Sequence, residues 1–153
     1  GRTGIEFYLC AGEELGWRGY LLPHLRGTYS VQGSILISGV IWGVWHAPMI
    51  AMGHNYGTNY AAYPWGGILA MIIFCIFVGS FFSWLTLKTG SAVPAALAHG
   101  GLNAFAGTPA VFLAEGAPAS PFVGPLPMGI IGGFGYLLIG IVCLILSRKL
   151  NQY

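Results

Sequence analysis

The chain has 153 residues, 56% of them hydrophobic and 7% charged, against roughly 25% charged in an ordinary soluble domain, so its surface cannot face water all round. Lipid must cover most of it: the uncharged runs 66–87 and 128–147 each reach the length of about 20 residues that crosses a hydrocarbon layer of roughly 30 Å. The net charge of +2 is scattered along the chain, with no basic stripe, which excludes nucleic acid as an expected partner.

Taken in chain order, the sequence predicts five membrane segments. The first, Gly4 to Leu22, is amphipathic and holds Glu6, Glu13, Glu14 and Arg18. A loop with His24 and Arg26 follows. The second, Val31 to Ile50, closes on Trp42-Gly-Val-Trp-His46-Ala-Pro48, where the proline should stop or kink the helix. A polar, aromatic loop over 52–64 leads to the third segment, Trp65 to Leu87, which Lys88-Thr-Gly90 closes with a cation and a C-terminal glycine. The fourth, Ser91 to Ala106, is short and rich in Ala and Gly, so it suits close helix packing rather than lipid contact; it carries His99 and Asn103. A proline-rich loop over 107–127 precedes the fifth, Met128 to Ser147, ended by Arg148-Lys149. The expected fold is an all-α, polytopic transmembrane helical bundle, one membrane-embedded domain over 1–153 with its motif-bearing core at 4–106. The chain opens at Gly1 with neither an initiator Met nor a signal-peptide pattern and reads as the later part of a longer protein. Cys10, Cys75 and Cys143 stand singly in apolar segments, as buried thiols do.

Alternating these segments across a bilayer puts Arg26, Lys88, Arg148 and Lys149 on one side. The opposite loops, 52–64 and 107–127, contain no Lys or Arg. By the positive-inside rule the first side is cytoplasmic. Arg2 is the one discordant charge. Tyr56, Tyr60, Tyr63 and Trp65 then fall at the outer interface, as an aromatic belt would.

Ionisable groups at membrane depth are costly, so their default reading is functional or mutually paired. Glu13 and Glu14 are adjacent on a helix, about 100° apart, and can serve different purposes. Arg18, four residues after Glu14, is spaced for an ion pair along one face, leaving Glu13 free. His99 and Asn103 share a helix face in the same way, as do Trp42 and His46. A carboxylate, two imidazoles and a carboxamide from three helices make a hydrolytic site: a base for water, partners to orient it and donors for a developing oxyanion. Glu13, His46 and His99 with an open position equally describe a zinc site, and the spacing leaves both readings standing. The structural alternatives are a Glu14–Arg18 tie between helices, an interfacial His46, and His99 with Asn103 as polar glue. Trp42 and Trp45 are most simply packing aromatics, with Trp42 placed to shield His46. His24 and His54 are expected on the surface. Glu6 and Glu115 have no assigned partner, although Glu6 lies two turns before Glu13.

Glu13-Glu-Leu-Gly-Trp-Arg18 resembles the E-E-x-x-x-R motif of the CPBP intramembrane protease family, which includes type II CAAX prenyl endopeptidases and the bacterial Abi proteins. Trp42-Gly-Val-Trp-His46 resembles its aromatic-and-histidine second motif, with Trp where many members have Phe. His99-Gly-Gly-Leu-Asn103 is similar to its H-x-x-x-N/D third motif. The resemblance implies an intramembrane endopeptidase in which Glu13, helped by His46, activates water. His99 and Asn103 would stabilise the oxyanion, and Glu14, Arg18 and Trp42 would support the site. It implies zinc or no cofactor at all, a peptide or lipidated protein as substrate, and a multi-pass protein of a prokaryotic plasma membrane. The side of substrate entry weighs against CAAX processing and toward a membrane-embedded or lipidated peptide, since His46, His99 and Asn103 fall toward the outer ends of their segments. The rival classes are a non-catalytic scaffold or immunity protein and a transporter using the same polar cluster. No oligomeric state is read from the sequence.

Overall fold

An uninterrupted helical stretch opens the structure, a computed structural model that describes residues 2–114 and 120–152, with side chains for 8–114 and 120–150. It comprises α1 (Arg2–Glu14), a π-helical turn (Leu15–Leu21) and α2 (Leu22–Arg26). The sequence reading ended this helix at Leu22 and put His24 in a loop; instead Pro23 sits inside helix. A proline ring clashes with the carbonyl four residues back and donates no backbone hydrogen bond. The wider π turn before Pro23 removes the need for that bond, and such turns recur at functional sites.

Ser30 then caps α3 (Val31–Trp45), its side chain accepting from Gly33 N at 3.1 Å. The break expected before Pro48 is present: the helix stops at Trp45, His46 turns, and α4 (Ala47–Ala51) restarts with proline in its first turn. α5 (Trp65–Thr89) ends at Gly90, whose φ of 70° supplies the left-handed cap that Lys88-Thr-Gly90 announced. α6 (Val93–Phe105), a short 3-10 turn (Thr108–Phe112), α7 (Ile130–Leu146) and a terminal 3-10 turn (Ser147–Gln152) complete the order. No strand occurs among the described residues. Glu115 lies outside the described residues, and the side chains of Arg2 and Glu6 likewise.

The fold is an all-α membrane bundle. Among the described residues three helices are long and apolar enough to cross a bilayer: Val31–Ala51, Trp65–Thr89 and Ile130–Leu150. The other two expected segments do not meet that standard, and they are the two that carry most of the polar site. The first is charged by Glu13, Glu14 and Arg18. α6, with 13 residues, extends only about 20 Å at 1.5 Å per residue.

α5 is the central element, with α3 on one side and α7 on the other, while α1 packs on α6. Trp42, Ile50, Tyr56, Met71, Cys75, Val78, Phe82 and Ala95 form the main core. A smaller cluster of Leu22, Val31 and Ile35 packs with Leu87 and Leu144, and Gln32 Nε2 donates to Leu144 O at 3.2 Å. These contacts gather the helix ends next to Arg26, Lys88, Arg148 and Lys149 at one end of the bundle. At the other end Tyr56 stacks on Phe122 at 5.1 Å, with Tyr60 edge-on at 5.0 Å. The two cation-free loops therefore meet, as the alternation required.

Close approach of α3 to α5 depends on Gly39 and Gly43. A Cβ on Gly43 would stand 2.5 Å from the Ile72 Cα, and one on Gly39 2.8 Å from the Ile76 Cα. Small residues four apart let two backbones touch, which is how helices associate in lipid. Gly43→Ala is expected to lower stability by about 1–3 kcal/mol through overpacking, read as a fall in the Tm of the purified protein. Gly101→Ala, where a Cβ meets nothing within 4 Å, is the control. Equal Tm values for the two variants would mean that α3 and α5 are free to part.

Candidate active site

Glu13 and Glu14 end α1 where the helix widens, and their side chains diverge as adjacent helical positions do. Glu14 is fully buried. Its Oε1 accepts from Arg18 Nη1 at 2.9 Å and from His99 Nδ1 at 2.9 Å. The ion pair along the helix was legible from spacing; the contact to His99, 85 positions away, was not. Arg18, 1% exposed, lies with its Cζ 4.4 Å from the centroid of Trp42 and 5.4 Å from that of Phe82. Both rings contribute cation–π attraction to a guanidinium stripped of water.

Trp42, on α3, joins the pieces. Its Nε1 donates to Glu13 Oε2 at 3.3 Å, and its carbonyl accepts from His46 Nδ1 at 2.8 Å. Its ring meets those of His99 and His46 edge-on, at 5.2 and 5.7 Å between centroids. The Trp that the sequence offered as packing or shield thus also fixes a carboxylate and an imidazole. Because a carbonyl only accepts, Nδ1 of His46 carries the hydrogen, and in the neutral ring Nε2 holds the lone pair. Nδ1 of His99 is likewise turned to a carboxylate.

Glu13, Trp42, His46, His99 and Asn103 all line one cavity of about 440 Å³. Glu14 and Arg18 stand behind its wall. Asn103 is exposed on the cavity and its Nδ2 donates to Cys10 Sγ at 3.3 Å, a weak but orienting contact. Cys75 also lines the cavity, with its Sγ 4.0 Å from His46 Nδ1.

Sequence reasoning missed several of these neighbours. Cys10 passed as an ordinary buried thiol. His54 is exposed, as expected, yet with Asn55 it lines the cavity. Positive φ at Gly53, Asn55 and Gly57 folds this loop back, and the glycine spacing was the available signal. His24 is exposed on α2, its Nδ1 paired with Tyr20 O at 2.7 Å. Trp45 is half exposed at the cavity and meets Trp17 edge-on at 5.9 Å.

Zinc on Glu13, His46 and His99 does not fit this arrangement. Among the described residues no group of three or more His, Cys, Asp or Glu side chains is placed to hold a metal ion. Glu13, His46 and His99 share the cavity without being gathered as a ligand set; the Nδ1 contacts of the two imidazoles do not decide this, because they leave Nε2 free.

A second, apolar cavity of about 280 Å³ lies between α5 and α7 and shares Phe74, Pro127 and Met128 with the first.

Comparison with known proteins matches residues 5–105 to the family described as type II CAAX prenyl endopeptidase Rce1-like. The chain is also 31% identical over 82 residues to the CAAX prenyl protease 2 of Methanococcus maripaludis, an overlap of 53% of this chain and 30% of that protein. It therefore spans about a third of the length of that relative. No solved structure matches.

Proposed function

The chain belongs to the type II CAAX prenyl endopeptidase Rce1-like family, and on that premise we propose that it carries an intramembrane endopeptidase site in which Glu13 activates water to hydrolyse a peptide bond of a prenylated or otherwise lipidated substrate. The observation that carries this reading is convergence. Three motifs on α1, α3 and α6 bring Glu13, His46, His99 and Asn103 to one cavity, with a buried Glu14–Arg18 pair behind it.

Glu13 has one carboxylate oxygen engaged by Trp42 Nε1, and the other takes the proton of the attacking water. Neutral His46, with Nδ1 held by the Trp42 carbonyl, accepts from the same water through Nε2 and aims it. Asn103 presents its carboxamide to the oxygen of the scissile carbonyl as negative charge develops there. His99 lies beside it on α6, its ring fixed through Nδ1 on Glu14. Glu13 then passes its proton to the leaving amine. These steps run on the chain's own side chains. The apolar cavity beside the site suits the hydrocarbon of a lipidated substrate.

Orientation decides how that substrate enters. With the cationic end in the cytoplasm, the cavity opens toward the loops carrying His54 and Met128 on the opposite face, which favours a peptide delivered from within or across the bilayer. In a background without the three native cysteines, a cysteine replacing the exposed Asn59 of the same loop should then react with an impermeant maleimide from outside, and one replacing the exposed Lys88 only after the membrane is opened. The reverse pattern would turn the cavity to the cytoplasm and make a soluble prenylated C-terminus the natural substrate.

A further inference from the structure

We propose that Gly79 is a positioning residue: the side chain it lacks is the seat of the Arg18 guanidinium, and through Arg18 it sets Glu14 and His99. Gly79 lies on α5 opposite the π turn. A Cβ there would stand 2.9 Å from Arg18 Nη2, while its next neighbours, Gly39 Cα at 3.7 Å and Trp42 Cε3 at 3.8 Å, are at ordinary contact distance. Gly39 and Gly43 differ, because a Cβ on either would meet the backbone of α5. At position 79 helix packing tolerates a methyl group, and only the guanidinium does not.

Arg18 depends on that space because little else aims it. Nη1 donates to Glu14, whereas Nε and Nη2 are buried without a hydrogen-bond partner among the described residues. Shape therefore supplies the direction: the faces of Trp42 and Phe82 and the notch at Gly79. Nη1 and His99 Nδ1 share the single acceptor Glu14 Oε1. Displacing the guanidinium by even a fraction of an ångström pulls this carboxylate and with it the imidazole. The catalytic consequence rests on the hydrolytic reading above; the seat itself does not.

The test compares Gly79→Ala in two backgrounds of the intact membrane protein, the native one and Glu14→Gln/Arg18→Met, in which the guanidinium is absent. In the native background Tm should fall by roughly 2–4 °C. In the second it should hold or rise, since alanine is the better helix former. With a prenylated C-a-a-X peptide as probe, Gly79→Ala alone should lower kcat about tenfold to a hundredfold, the cost of a misplaced supporting group, and leave KM within about twofold. Equal Tm changes in the two backgrounds would overturn the seat. Coupled Tm changes with unaltered kcat would overturn the positioning role. Coupled Tm changes in a protein that cleaves nothing would support the seat and count against the hydrolytic reading alone.

Discussion

Glu13→Gln should reduce kcat for peptide cleavage by roughly 10²–10⁴-fold, the range for removing a general base, while the protein stays folded. Glutamine keeps the size of the side chain and an acceptor oxygen for Trp42 Nε1, so the 3.3 Å contact and the packing of α1 on α6 survive. It cannot take a proton from water. Glu13 is half-buried at a cavity, so the substitution strands no buried charge, and Tm should move little. Burial separates it from its neighbour: the same change at Glu14 would weaken the acceptor for both Arg18 and His99. A variant that retains the native kcat would remove Glu13 from the chemistry and leave a scaffold or transport role for the polar cluster.

The largest expected loss of stability belongs to Arg18→Met. It leaves Glu14, which has no solvent exposure, as a buried carboxylate without its cation, and breaking such a pair from one side costs about 3–5 kcal/mol. Methionine fills much of the space between Trp42 and Phe82, so the loss reports charge more than volume. Adding Glu14→Gln should restore most of it, because replacing both partners of a buried pair is often neutral. Chemical denaturation of the single and double variants measures this. A double variant no more stable than Arg18→Met would show that the guanidinium is needed for its packing on the two rings, with Glu14 incidental.

The contrast between these two carboxylates shows what the sequence could and could not reveal. Spacing of four residues identified Glu14 with Arg18, and adjacency on a helix foretold that Glu13 would point elsewhere. The cap at Gly90 and the break before Pro48 followed from local stereochemistry, and they came out at or near their predicted places. Pro23 misled for an equally physical reason: read alone a proline ends a helix, but a π turn lets the helix run through it, and nothing in the residue order announces a π turn. Contacts between distant segments were out of reach. His99 on Glu14, Cys10 on Asn103 and the loop of His54 and Asn55 over the cavity all depend on how helices cross. The approach of α3 to α5 likewise depends on Gly39 and Gly43, whose role appears only when α5 lies against them. Composition predicted five membrane segments, and among the described residues three helices are long and apolar enough to cross a bilayer. α6 has only 13 residues, and the α1 stretch gives up apolarity to hold the site.

The central claim is that this cavity hydrolyses a peptide bond, and mass spectrometry of a prenylated C-a-a-X peptide incubated with the purified protein in lipid vesicles tests it most directly. The account predicts two fragments whose masses add to that of the peptide plus one water, formed by the native protein and not by Glu13→Gln. An intact peptide recovered from folded native protein, or equal cleavage by the Glu13→Gln variant, would contradict it.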